Sequence, residues 1–143
     1  FHLFYMIQKN NLTEIIRRKV NSGTPFIGWS AGSNVACPSL KTTNDMPIIE
    51  PMSFDGLSLI PFQINPHYTE ARLPNHNGES REDRIREFLE ANPHMAVVGL
   101  KEGSLLRIEG KTMKLLGANN MKLFRKDKET EEFTPNSQLD FLL

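Results

Sequence analysis

Apolar positions recur along this chain with two periods, one near 3.6 residues and one as short continuous runs, and the alternation predicts a mixed fold. Residues 2–9 are mostly apolar and predict a helix whose preceding strand lies outside the chain. Leu12, Ile15, Ile16 and Val20 return at helical spacing, with Asn11 and Glu14 as a reciprocal capping pair and Gly23 as the stop. Phe26-Ile27-Gly28-Trp29, after Pro25, predicts a short buried strand, and the small residues from Ser30 to Ala36 predict a short helix packed closely on a sheet. Residues 39–56 read as loop. Leu57 to Ile64 predict a second strand, bulged or at an edge because of Pro61.

A polar loop follows from Asn65 to Glu79, containing Pro66, Pro74 and Gly78. Ser80 and Asp83 open a helix whose Ile85, Phe88 and Leu89 form one apolar stripe, and Pro93 closes it. Met95 to Leu100 is a nearly continuous apolar run, the pattern of a strand covered on both faces. Leu105 to Glu109, a Gly110-Lys111 turn, Thr112 to Leu116 and Met121 to Phe124 predict an antiparallel meander. Lys126 to Glu132 is a charge cluster expected to be solvated or frayed. Helices alternating with apolar runs predict an α/β fold with a largely parallel sheet and an antiparallel extension.

Composition narrows the function. Lys plus Arg and Asp plus Glu both number 17 in 143 residues, so a general nucleic-acid binder, which needs a basic excess, is not expected. No apolar run approaches the roughly 18–20 residues of a membrane span. The single cysteine, Cys37, excludes an internal disulfide, fits a reducing compartment and reads as a small buried residue. Trp29 and the nine phenylalanines read as core.

Gly28-Trp29-Ser30-Ala31-Gly32 is a G-x-S-x-G sequence at a predicted strand-to-helix junction. A sharp turn there exposes a serine hydroxyl, small neighbours let strand and helix pass closely, and the Ala31 N–H can face a developing oxyanion. A tightly packed structural turn would look the same in sequence. A nucleophilic serine needs a base and an orienting group. His2, His76 and His94 fall in settings typical of surface residues. His67 follows the run ending Gln63-Ile64-Asn65, at the carboxyl end of a predicted strand, where open α/β sheets bind ligands. Two carboxylates compete as the third member. Glu102 lies just past the third strand, at the same edge, and is favoured; Asp45 follows the serine helix and suits a supporting or substrate-positioning role. The order Ser, His, acid differs from that of α/β-hydrolases, chymotrypsin and subtilisin.

Five motifs in order carry a family resemblance: Ile27-Gly28-Trp29-Ser30-Ala31-Gly32-Ser33-Asn34, Thr42-Thr43-Asn44-Asp45-Met46-Pro47-Ile48, Gln63-Ile64-Asn65-Pro66-His67, Gly78 to Arg86, and Leu100-Lys101-Glu102-Gly103. They resemble the peptidase E, or alpha-aspartyl dipeptidase, family of serine peptidases, with Ser33 and Ser80 as mild departures. The resemblance implies hydrolysis of dipeptides with N-terminal aspartate by Ser30, His67 and Glu102. Asp45 matches a family aspartate sometimes given the charge-relay role. It implies a three-layer sandwich similar to class I glutamine amidotransferase-like folds, with residues 1–143 as its carboxyl-terminal part. A Gly-Gly-Gly-Asn-Thr stretch would then precede Phe1 and carry a second oxyanion donor. Further implications are a small peptide substrate, no metal or organic cofactor, a cytoplasmic location and no nucleic-acid or membrane partner, with a homodimer left open. Selection of an acidic residue needs a fixed cation, and Arg81 at the start of a helix suits it; pairing of Arg81, Arg84 and Arg86 with Glu82, Asp83 and Glu87 is the competing role. A cyanophycinase-like hydrolase and a non-catalytic truncated isoform are the alternatives.

Overall fold

The computed structural model describes residues 1–71 and 78–143. Pro74 and His76, both read above as parts of a polar surface loop, lie outside the described residues. The chain divides into two compact units, Phe1–Pro66 and His67–Leu143, built from helices and strands as expected of an α/β protein.

The first unit holds helices α1 (His2–Lys9), α2 (Thr13–Asn21) and α3 (Ala31–Ala36) and one strand, β1 (Gln63–Pro66). Phe4, Val35, Leu40 and Leu57 form its buried cluster, with Ile7, Ile16, Phe26 and Leu59 packed against it. Gly23 stops α2 as expected: at φ +101° it takes the left-handed turn, its N–H donating to Val20 and that of Thr24 to Lys19. Asn11 does not cap α2. It sits between α1 and α2 at φ 54°, a left-handed angle that asparagine tolerates, and Leu12 takes the cap position.

Two predicted strands are corrected here. Phe26–Trp29 forms no strand, and Ile27 and Trp29 are 83% and 78% exposed, so Trp29 is not core. An apolar run becomes a strand only when a neighbour takes its N–H and C=O groups, and nothing within the first unit pairs with it. Of Leu57–Ile64 only Gln63 and Ile64 lie in a strand, β1, which continues through Asn65 and Pro66, two residues expected in the loop. The N–H groups of Gly56, Leu57, Ser58 and Leu59 donate instead to Pro38, Val35, Cys37 and Ala36, which wraps this stretch around the end of α3. The strand starts only beyond Pro61, which has no N–H to give.

The second unit contains α4 (Arg81–Ala91), β2 (Ala96–Leu100), β3 (Ser104–Glu109), β4 (Thr112–Gly117), β5 (Met121–Arg125) and β6 (Glu131–Phe133), then a 3-10 turn at Asp140–Leu142. Within it β2 pairs with β5 and β5 with β6, while β3 and β4 form a hairpin closed at Gly110-Lys111; every one of these ladders is antiparallel. The largely parallel sheet expected from sequence is therefore not the architecture of this unit. The connection between β5 and β6, residues 126–130, is far too short for a parallel crossover, which takes a dozen residues or more. The charge cluster at Lys126 to Glu132 is solvated at Asp127, Lys128, Glu129 and Glu132, one of the two expected outcomes, and is not frayed. Glu131 and Glu132 sit in β6, Arg125 pairs with Glu131, and Arg86 donates to the Lys128 carbonyl and the Thr130 hydroxyl.

Val97, Val98 and Phe124 are fully buried, as the continuous run of β2 requires, and Tyr68, Ile85 and Leu89 complete the core over which α4 packs. The α4 start is the one read from sequence: Ser80 Oγ accepts from the Asp83 N–H at 3.1 Å, while the Asp83 carboxylate accepts from the Ser80 N–H at 2.8 Å. Ser80→Ala removes one half of this box and is expected to lower stability by about 1 kcal/mol. Chemical denaturation of the full-length protein checks it, with Ser80→Thr as the variant that keeps the cap. No helix among the described residues is long and apolar enough to cross a membrane.

Candidate active site

Ser30 sits immediately before α3 with φ 52° and ψ −119°, an angle pair that non-glycine residues rarely adopt and that costs about 1–3 kcal/mol. The surrounding turn holds it there. The Gly32 N–H donates to the Trp29 carbonyl at 2.8 Å, the Ser33 and Asn34 N–H groups donate to the Ser30 carbonyl at 3.0 and 3.3 Å, and Ser33 Oγ donates to the Gly28 carbonyl at 3.2 Å. Gly28 is required by space: a Cβ there would stand 2.6 Å from the Gly32 carbonyl oxygen. The second glycine of the motif, Gly32, has open space where its Cβ would go. Ser30 is half-buried and lines an open pocket of about 360 Å³ with Leu3, Trp29 and Ala31. The N–H of Ala31, the first residue of α3, is one of the amides a helix start leaves without an intrahelical partner.

In the second unit His67 Nδ1 meets the Glu102 carboxylate. Both side chains are open to solvent, at 46% and 76% exposure. A carboxylate on Nδ1 fixes the tautomer in which Nε2 is free to accept a proton. His67 has φ 54°, and its neighbour Tyr68 anchors the turn: the Tyr68 N–H donates to the Leu100 carbonyl at 3.0 Å and its ring packs on Phe124. Burial, with Glu82 and Glu70 nearby, pushes the Tyr68 hydroxyl up to about 12, so it stays protonated at neutral pH. Thr69, Glu70, Lys101 and Asn119 share the open pocket of about 560 Å³ around His67 and Glu102. Glu70 is held well inside the ionised range by Lys122 first and Lys101 second.

The structure thus brings Glu102, the acid favoured by the sequence, onto His67. Asp45 is an exposed loop residue whose carboxylate accepts from the Met46 N–H, within the first unit. Arg81 is the first residue of α4 and has no carboxylate partner among the described residues, whereas Arg84 pairs with Glu79 and Arg86 with Glu82. Partial burial, with Arg84 as a second cause, lowers its pKa, and a guanidinium stays charged regardless. Cys37 is fully buried, and burial pushes its thiol up to about 12, which makes it a poor nucleophile. His2 and His94 are exposed. Among the described residues no three His, Cys, Asp or Glu side chains gather as a metal-binding group.

Sequence reasoning missed the polar frame behind these residues. Asn44 Nδ2 donates to the Pro66 carbonyl at 2.7 Å, fixing the peptide that leads into His67. Asn65 Nδ2 in turn donates to Asn44 Oδ1 at 2.8 Å and to the Thr42 carbonyl at 3.0 Å. Asn34 Nδ2 and Thr42 Oγ1 both donate to the Ile64 carbonyl, at 2.9 and 3.0 Å. The visible signal was the density of Asn and Thr flanking Asp45 and His67, which a loop prediction discards as ordinary polar filler.

Comparison with known proteins gives this geometry a setting. The model of peptidase family S51 matches residues 1–116. Over all 143 residues the chain is 57% identical to a peptidase E of Nostoc sp. (strain PCC 7120), covering 59% of that protein. It is 49% identical to a peptidase E of Shewanella sp. (strain ANA-3) and 46% identical to one of Shewanella amazonensis, in each case over the whole chain and 61% of the relative. The chain spans about three fifths of the length of these relatives.

Proposed function

The chain belongs to peptidase family S51, and on that footing we propose that it carries the catalytic residues of a serine-type dipeptidase acting on Asp-Xaa. The observation that carries the reading is the backbone of Ser30, a strained left-handed turn at a helix start, maintained by four hydrogen bonds and a glycine with no room for a side chain. Strain of this kind is the mark of a nucleophile turn.

Ser30 Oγ attacks the carbonyl carbon of the aspartyl residue while His67 Nε2 takes the hydroxyl proton. Glu102, on Nδ1, stabilises the imidazolium that results. The Ala31 N–H donates to the tetrahedral oxyanion. Collapse of that intermediate breaks the C–N bond, and His67 returns the proton to the departing amine, leaving an aspartyl ester on Ser30. Water, deprotonated by His67, then releases aspartate and restores the serine. In this reading Asp45 supports the substrate side of the site, and the full-length domain is the three-layer sandwich expected from the sequence resemblance.

Arg81 is the residue proposed to hold the substrate's side-chain carboxylate. Among the described residues it is the cation of α4 without a carboxylate partner, and its place in the first turn adds the helix's free amides and dipole. Arg81→Ala in the full-length protein is expected to cut kcat/KM for Asp-Leu by roughly 10²-fold, in line with about 1.5–3 kcal/mol for a charged hydrogen-bond partner. Hydrolysis of a neutral dipeptide should change little. Equal losses on both substrates would remove Arg81 from substrate selection. For the reading as a whole, the full-length protein should release aspartate from Asp-Leu, and its failure to cleave any Asp-Xaa dipeptide would overturn the assignment.

A further inference from the structure

Glu102 presents a problem that the proposed chemistry does not by itself solve. Its side chain is 76% exposed, and among the described residues His67 is the only side-chain partner of its carboxylate. A pair this open gains little from Coulomb attraction in water and must immobilise a long, rotatable side chain. Its alignment must therefore come from the backbone that carries it.

That backbone is a turn, Glu102-Gly103, between β2 and β3, and it is clamped by the turn that leaves β4. Asn119 Nδ2 donates to the Glu102 carbonyl at 2.7 Å. Asn119 is held in turn at both ends of its own backbone by one side chain: its N–H donates to Ser104 Oγ at 3.0 Å, and Ser104 Oγ donates to its carbonyl at 2.6 Å. The Ala118 N–H donates to the Gly103 carbonyl at 3.0 Å. The approach is so close that only glycine fits at residue 117, which has φ +109°; a Cβ there would lie 2.2 Å from the Gly103 oxygen. Four hydrogen bonds thus lock two turns together at the open end of the β3–β4 hairpin, and the residue they fix is the one that meets His67.

We infer that Asn119, supported by Ser104, is the positioning residue for Glu102, setting the carboxylate against His67 Nδ1. This rests on the proposed catalytic role of Glu102. Asn119 touches no reacting atom; it acts through the carbonyl of the residue it holds. Closing the hairpin end alone would give it a purely structural role, and the two roles differ in what a substitution does. A structural loss lowers stability and adds to any other defect. A positioning loss vanishes once the side chain being positioned is gone.

The test is a double-mutant cycle on the full-length protein with Asp-Leu as substrate. Asn119→Ala should lower kcat by 10- to 100-fold, the scale of a misplaced catalytic group, with KM little changed. In a Glu102→Gln background the same substitution should cost nothing further. Ser104→Ala should give a smaller loss in the same direction, and Ser104→Thr, which keeps the hydroxyl, should restore the rate; this pair serves if Asn119→Ala does not fold. An Asn119→Ala enzyme with wild-type kcat, or one whose defect multiplies that of Glu102→Gln, would overturn the inference while leaving Ser30 chemistry intact. A Glu102→Gln enzyme with full activity would overturn it as well, by removing the role that Asn119 serves. Activity retained by Ser30→Ala would instead bring down the serine-peptidase reading itself.

Discussion

Replacing Ser30 by alanine in the full-length protein is expected to lower kcat on Asp-Leu by about 10⁶-fold while leaving the fold unchanged. The magnitude is that of deleting the nucleophile from a serine peptidase, where the remaining groups cannot form the acyl-enzyme. Stability should not suffer, because alanine occupies the same strained angles as the serine it replaces. Ser30→Gly separates the two properties further. It should be as inactive as the alanine variant yet more stable by roughly 1 kcal/mol, since glycine adopts φ 52° without the penalty a Cβ incurs. Steady-state kinetics and thermal unfolding of the three proteins check both halves. A drop in stability on Ser30→Gly would mean that the turn is not strained and would weaken the reading of its geometry.

The second large effect is expected at Glu102. Glu102→Gln should reduce kcat on the order of 10³-fold, somewhat less than the roughly 10⁴-fold loss seen for a buried triad acid, because this carboxylate is largely exposed. The amide keeps the shape of the side chain and loses the charge that balances the imidazolium. Asp45→Asn should cost less than about 10-fold, in keeping with a supporting role rather than an orienting one. Measuring both variants decides between the two acids that the sequence left in competition. A larger loss at Asp45 than at Glu102 would reverse their roles.

Much of this is legible in the amino-acid sequence itself. Local signals hold where the chemistry that sets them is local. Ser80 and Asp83 cap α4 as their spacing requires, Gly23 ends α2, Gly110-Lys111 closes a hairpin, and β2 is buried on both faces. The rare backbone angles of Ser30 and the contact of Glu102 with His67 fall at positions that the sequence singles out as candidates. What the pattern misses depends on partners. Phe26–Trp29 has the composition of a strand but no neighbour within its unit, and Leu57–Ile64 spends its first amides on the end of α3. The charge cluster is solvated at Asp127, Lys128, Glu129 and Glu132, as its composition says, but its end lies in β6 because β5 takes up its backbone, a partner that composition does not announce. Asn44, Asn65 and Asn119 are invisible for the same reason: an asparagine side chain announces nothing until the carbonyl it holds is in place.

The central claim is that Ser30 is the residue acylated during turnover. The most direct measurement is mass spectrometry of the full-length protein, acid-quenched while hydrolysing an aspartyl p-nitroanilide. The account predicts an aspartyl ester on the peptide bearing Ser30, absent from Ser30→Ala. An aspartyl group recovered on a different side chain, or continued turnover by Ser30→Ala, would contradict it.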